Sequence, residues 1–293
     1  MEQKTQQQPQ KEPQKEPQDE PEKRTKHLPI RVWRAIKGNA ALTGALATLA
    51  AASIGLSGIL YQQQVGINLA QRDAEQKQEI EDQQRQETLI QTYFDDVGEL
   101  LLNKEQPLRE AQPTDDVSIL AGAKTLSVLE ELDPRRKKSV MHFLLDARLI
   151  QKDAPIIKLA RADLSDIDLS GVNLGAADLS GANLGGANLS GANLSGAKLD
   201  TAYLSGANLS KVRLNGASLL IVSLREADLS RADLSGANLS GTLLTSATLS
   251  DAKLNGTDLS YTDLSDSHSV TDEQLDKSKS LMKATMPDGS THG

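Results

Sequence analysis

The chain has no cysteine in 293 residues, which removes disulfides, thiolate metal ligands and thiol nucleophiles from consideration. That absence suits a reducing or an oxidising compartment equally and does not choose between them. Histidine is nearly as sparse. His27, His142, His268 and His292 are scattered, with no spacing that suits a metal. No histidine or carboxylate recurs beside any of the many serines in a way that would activate it. Glycine is plentiful, but none of it forms the strand–loop–helix junction that cradles a phosphate. The sequence therefore offers no candidate catalytic, cofactor-binding or metal-ligating residue, and the chain is read as a non-enzyme.

Two further absences divide the N-terminal part. Residues 1–30 are Gln, Pro, Glu and Lys with almost nothing apolar, too polar to build a core, and are expected to be a disordered tail. From Gly38 to Leu60, by contrast, no residue carries a charge. As a helix these residues would span about 34 Å, enough for a hydrocarbon core. Trp33 and Tyr61 flank the run where interface aromatics belong. Lys23, Arg24, Lys26, Arg31, Arg34 and Lys37 precede it with no acidic residue among them. The expectation is one transmembrane helix over 38–60, a cytoplasmic N-terminus, and the remainder on a periplasmic or lumenal side.

What is present in excess is leucine at a fixed interval. From Leu159 to Leu264 every fifth residue is Leu, twenty-two in succession. Two positions earlier stands Ala in fourteen repeats and Val, Ile or Thr in the others. A period of five fits neither a helix nor a flat strand. It fits a chain that turns a corner every five residues, with Leu and the small residue pointing inward. The outward positions agree: Asp or Asn usually precedes Leu, Ser follows it thirteen times, and Gly comes next ten times. Ten glycines at about 1 kcal/mol each argue against an Ala- and Leu-rich helix.

Sequences such as Ala177-Asp-Leu-Ser-Gly and Ala192-Asn-Leu-Ser-Gly resemble the pentapeptide-repeat family, whose motif is A-[DN]-L-x-x. The resemblance implies a β-solenoid: a four-sided, right-handed parallel β-helix, four repeats to a coil, preceded by a small α-helical segment and the transmembrane helix. Five and a half coils would stand roughly 26 Å tall. A solenoid needs capped ends. Thr271–Lys279 reads as a short capping helix with Thr271 as N-cap, and Ala284-Thr285-Met286 as one last repeat strand. The expected division is a tail over 1–37, the span over 38–60, a helical stalk and small capping segment over 61–153, repeats over 154–266, and a capping helix and tail over 267–293. This order resembles membrane-bound pentapeptide-repeat proteins of cyanobacteria.

Within 61–153, residues 62–88 read as a solvated helical stalk. An amphipathic stretch follows with Ile90, Tyr93, Phe94, Val97 and Leu101 on one face. A helix from Asp115/Asp116 carries Ile119, Ala123, Leu126, Leu129 and Leu132 at helical spacing. Another, capped by Asp133 with Pro134 in its first turn, carries Val140, Phe143, Leu144, Ala147 and Ile150.

Some members of the family mimic DNA and bind topoisomerases through a strongly acidic column. From Ala154 to Ser265 eleven Asp and Glu face eight Lys and Arg, a net of −3, mild beside the phosphate density to be mimicked. All twenty-two central inward residues are Leu, where such members favour Phe. The favoured reading is a membrane-anchored scaffold or protein-interaction module with an unidentified protein partner, no nucleic acid and no cofactor; self-association into a homo-oligomer is open. Stacking residues twenty apart points to the contact surface. The outward apolar residues Tyr203, Leu220, Ile221, Leu243 and Tyr261 gather on one side and edge, on an otherwise polar column.

Overall fold

The computed structural model describes residues 40–150 and 155–293. The expected tail over 1–37, with Trp33 and His27, lies outside the described residues. The chain divides into two units, Met1–Glu75 and Gln76–Gly293. Helix α1, Ala40–Leu102, contributes to both. The apolar run, the stalk and the amphipathic stretch are thus one uninterrupted helix. No proline stands between Pro29 and Pro107 to break it. It ends where the Asn103 side chain accepts the amides of Glu105 and Gln106, just before Pro107.

In the first unit every described side chain of α1 from 47 to 75 is exposed. Among the described residues no helix is long and apolar enough to cross a membrane. This corrects the expected transmembrane helix at 38–60, and with it the single-pass membrane localisation and the periplasmic or lumenal placement of the repeats. The composition gives the reason. Eleven of the seventeen residues from 44 to 60 are Ala, Gly, Ser or Thr, each contributing little transfer free energy, and the helix runs on into three glutamines.

In the second unit the end of α1 packs with α2 (Asp116–Glu131) and α3 (Pro134–Asp146). Ile90, Tyr93 and Val97 of α1 are buried, and Tyr93, Phe94 and Phe143 form an aromatic trio with centroids 5.0–6.3 Å apart. The expected face of α2 is inward in part: Leu129 and Leu132 are buried and Leu126 packs on the core. The helix buries Ser118, Ala121, Thr125, Val128 and Leu129, while Ile119 and Ala123 are exposed. Thr125, a buried polar residue of this face, is satisfied: the Tyr93 hydroxyl and Thr125 hydroxyl pair at 2.9 Å in the interior, and Thr125 donates to Ala121 O. Burial pushes the Tyr93 phenol up to about 12, against the Thr125 bond. Asp133 caps α3 by accepting the Arg136 amide, with Pro134 at the first position. His142 is exposed on that helix.

The repeats form a column with twenty residues per coil. Parallel pairings run Asp163–Asn183–Tyr203–Ser223–Leu243–Asp263 along side 1, and three equivalent ladders pass through Asp168, Asn173 and Asp178. All are isolated single-residue bridges; among the described residues no β-strand forms. The expected β-helix of strands and sheets is corrected accordingly, and the hydrogen bonds show why. Leu carbonyls accept the amide three residues on, as in Leu169 with Val172 and Leu209 with Val212, at all but two of the repeats; at the Ile221 corner Leu219 O accepts the Thr242 hydroxyl. The residue two after Leu has positive φ at every repeat, whether Gly (Gly171, φ 68°) or not (Lys211, φ 59°). Leu-Ser-Gly-Ala is therefore a turn of the type II pattern, and only one residue remains between successive turns. One residue cannot make a strand.

That single outward residue explains the Asp/Asn preference. The Asp163, Asp168, Asn188, Asn208, Asp228, Asp233, Asn238 and Asp258 side chains each accept the amide two residues ahead. Each holds the next corner in place as an Asx turn. Inside, every Leu of the ladder is 2% exposed or less.

Both ends are covered. α3 docks on the first coil through Lys137–Asp163 at 2.6 Å and Lys138–Asp168 at 2.7 Å, and its apolar face is continuous with the leucine core. At the other end Thr271 and Gln274 form a capping box on α4 (Asp272–Leu275). The Gln274 amide donates to Leu249 O and Ala252 O, and Leu275 is buried. The last residues then fold back: His292 N donates to Ala284 O, and Thr285 pairs antiparallel with Thr291. The final edge of the column is thereby paired.

A candidate interaction face on the repeat column

The five residues singled out by stacking lie together on side 1 and on the corner that leads into it. Tyr203, Ile221 and Tyr261 are 52%, 69% and 52% exposed, while Leu220 and Leu243 are half-buried. Tyr203, Ser223 and Leu243 follow one another on one ladder. Ile221, Gly241 and Tyr261 follow one another on the corner, each donating its amide to the coil beneath. Leu220-Ile221 makes no inward bulge. Val222 and Leu224 remain fully buried on either side of Ser223, and the Leu220 amide donates to the Asp200 carboxylate at 3.0 Å.

Stability is given up to place these residues. An apolar side chain at Leu243 or Tyr203 cannot accept the amide two residues ahead, so the Asx-turn bond made by the neighbouring Asp263 and Asn183 is lost there; such a bond contributes about 0.5–1.5 kcal/mol. Ile221 and Tyr261 stand at φ 58° in the left-handed region, where ten other repeats place Gly. A β-branched residue there is strained by roughly 1–2 kcal/mol. Ile221→Gly is accordingly expected to raise stability by about 1 kcal/mol after the flexibility of glycine in the unfolded chain is counted. Thermal unfolding checks this; a lower melting temperature would show that Ile221 serves the fold. Strain kept at an exposed position points to use of the side chain elsewhere.

Tyr203 is held by a second departure from the repeat. Gly185 occupies the coil before it at a position usually filled by Ser, and a Cβ there would lie 2.7 Å from Tyr203 Cε1. The ring thus rests on the Gly185 backbone. At the far end Lys283 Nζ sits 5.7 Å from the Tyr261 ring centroid, a cation–π arrangement. Met282, 47% exposed, continues the corner, because the Tyr261 amide donates to its carbonyl at 2.8 Å. Stacking by twenty missed Met282. Asp258 pairs with Ser280, two residues out of register, so the insertion around α4 hides the alignment.

The flanks of the face are charged. Arg225 and Glu226 are exposed on the far corner. The Ser265 hydroxyl and amide outweigh burial and hold the Asp263 carboxyl below its usual range, with help from the Thr245 hydroxyl and the Arg225 charge. Among the described residues no group of three His, Cys, Asp or Glu side chains is placed to hold a metal.

The repeat family described as Pentapeptide repeats matches with eight copies, over residues 157–196, 187–219 and 223–267. Several solved structures are similar to the chain, three pentapeptide repeat proteins of cyanobacteria among them. HetL, a pentapeptide repeat protein involved in heterocyst differentiation regulation in the cyanobacterium Nostoc, is 34% identical over 45% of this chain and 67% of its own, with TM-score 0.17. A second pentapeptide repeat protein from Nostoc is 32% identical over 43% and 78%, TM-score 0.25. Rfr23 from the cyanobacterium Cyanothece is 31% identical over 34% and 87%, TM-score 0.17. No curated protein matches. A motif that closes the same turn every five residues, recognised in eight copies and shared at this identity with most of the length of each relative, makes the chain a member of the pentapeptide-repeat family.

Proposed function

We propose that the chain is a non-enzymatic protein-interaction module, a scaffold whose column presents side 1 and its corner to another protein. One observation carries the reading: Ile221 is exposed, apolar and strained, at a corner position where ten other repeats place glycine. A column whose coils are tied by amide–carbonyl bonds, including Ile221 N to Ser240 O, is rigid, so side chains set on it are preorganised for contact. Mimicry of DNA gains no support from the surface, where Lys198, Lys211, Arg213, Arg231 and Lys253 interrupt the acidic positions.

The test is Ile221→Ser with Leu243→Ser. Ser already stands at equivalent places, Ser246 on a corner and Ser223 on the same ladder, so the variant keeps the fold. A partner retained by the full chain, identified by mass spectrometry and rebound in purified form, should bind the variant at least tenfold more weakly, equivalent to about 1.4 kcal/mol. Equal binding by a folded variant would remove side 1 from the function.

A further inference from the structure

The first part of α1 carries a seam spaced to receive a second helix. Ten positions from Leu42 to Ala74, alternately four and three residues apart, are apolar at all but Ser53 and Gln63. They take five of the six leucines in that interval. A mean spacing of 3.5 residues keeps such a row on one side of a helix wound against another helix. The next two positions in the same spacing are Lys77 and Glu81, so the seam stops where the first unit stops, at Glu75. Leu49, Leu56, Leu60 and Ile67 on it are 51–67% exposed, while Ile54, Val65 and Leu69 fall outside it. Gly44, Gly55, Gly58 and Gly66 weaken this stretch relative to alanine, and a Cβ at any of them would meet nothing within 4 Å. A helix so composed, with every described side chain from 47 to 75 exposed, draws its stability from packing of its apolar face.

The seam is complementary to itself when the second helix runs the opposite way. A twofold axis midway between Leu56 and Leu60 sets the Leu56 position against Leu60 of the second copy, Leu49 against Ile67, Leu46 against Ala70 and Leu42 against Ala74. The two polar positions meet as well, Ser53 against Gln63, so neither is buried against a leucine. Sliding the second helix by one heptad loses this match. It sets Leu46 against Lys77 and Leu60 against Gln63 in one direction, and Leu46 against Gln63 and Leu56 against Ser53 in the other.

A parallel pair also matches Ser53 with Ser53 and Gln63 with Gln63, and charge decides against it. Arg31, Arg34 and Lys37 stand just ahead of the helix in the chain, with no acidic residue among 31–37. Residues 72–82 hold five acidic residues against Arg72 and Lys77, a net of −3. Antiparallel chains bring each basic flank towards the acidic stretch of the other copy, whereas parallel chains set basic against basic and acidic against acidic. An overlap of about 50 Å with a contact strip about 10–12 Å wide buries on the order of 1,000 Å² over both copies, enough for a specific interface.

We infer that residues 42–74 of α1 form an antiparallel two-stranded coiled coil with a second copy of the chain, its twofold axis between Leu56 and Leu60. Such an isologous contact closes on itself and yields a dimer. It involves no residue of the repeat column and stands apart from the function proposed for side 1.

The chain's lack of cysteine provides the test. In the antiparallel dimer of the full-length chain, Leu49→Cys and Ile67→Cys each lie roughly 27 Å from their own counterpart but opposite one another. Mild oxidation of a mixture of the two variants, one of them tagged so that the products differ in size, should link unlike chains at least tenfold more than like chains. A parallel pair would link like to like. In sedimentation the wild type should be a dimer at micromolar concentration, and Leu56→Glu should weaken it at least tenfold. Leu69→Glu, on the same helix but off the seam, should leave it unchanged. Thermal unfolding of the repeat column should be the same in both variants, which keeps loss of association distinct from loss of fold. A monomeric wild type, linking of like to like, equal loss from Leu56→Glu and Leu69→Glu, or a monomer that floats with phosphatidylcholine vesicles would each overturn the inference. None of these outcomes bears on a partner bound at Ile221 and Leu243, so side 1 stands or falls by its own test.

Discussion

Leu209→Ala is expected to lower the unfolding free energy by about 2–5 kcal/mol. Leu209 is 1% exposed in the middle of the column, stacked between Leu189 and Leu229, both fully buried. The coils above and below are tied to it by the Asn188–Asn208–Asp228 ladder and by turn bonds at nearly every corner, so they cannot close over the gap. The lost transfer energy and the cavity then add. The neighbouring Asn208→Ala is expected to cost about 1 kcal/mol, the worth of the bonds it accepts from the Ser210 amide at 3.0 Å and hydroxyl at 2.7 Å. Thermal or denaturant unfolding of the two variants measures the contrast. Equal losses would mean that the inward and outward positions of the repeat do not differ as the burial pattern says.

That inward–outward contrast is legible without a structure, because it repeats at every fifth residue and each repeat meets the same environment. The cap of α3 is legible for a similar reason: Asp133-Pro134 is a local signal whose hydrogen bond closes within three residues. Features that depend on contacts distant in sequence are not legible. Ile119 and Ala123 extend the apolar stripe of Leu126, Leu129 and Leu132 in the sequence but are exposed, while Ser118 and Thr125, which pairs with Tyr93, are buried in their place. The period of five locates the corners without saying that the turn consumes four of the five residues, which is why strands were expected and single bridges form. The uncharged run at 38–60 shows only the absence of charge; its alanine, glycine and serine supply little apolar surface. At the candidate site, Tyr203, Leu220, Ile221, Leu243 and Tyr261 can be placed together by counting twenties. Met282 and Lys283 cannot, because the two-residue insertion near α4 breaks the count. The supporting role of Gly185 beneath Tyr203 is marked in the sequence only as a departure from Ser that Gly175 shares, with no ring over it.

Asp163→Ala is expected to be as damaging as the loss of Leu209, through charge instead of volume. Lys137 projects from α3 with its side chain only 4% exposed, and its ammonium meets the Asp163 carboxylate at 2.6 Å. Removing the carboxylate leaves a buried, unpaired ammonium, which costs about 3–5 kcal/mol. The loss falls on the junction between the helical cap and the first coil, where Lys138–Asp168 is then the remaining ion pair beside the apolar contacts, and both of its members are substantially exposed. The paired variant Asp163→Ala with Lys137→Met should recover most of the loss, since an apolar side chain of similar length needs no partner there. Acid should act on the same bond. Burial pushes the Asp163 carboxyl up, but the Lys137 ammonium and the Ser165 hydroxyl and amide together pull it below its ordinary value. With the folded pKa below the unfolded one, the contribution to stability is complete above about pH 4 and is lost as pH falls through the folded value. Unfolding of wild type and of the paired variant, followed from pH 6 to about pH 2, should therefore converge toward the acid end. A constant difference across that range would show that the ion pair contributes nothing to holding the cap on the column.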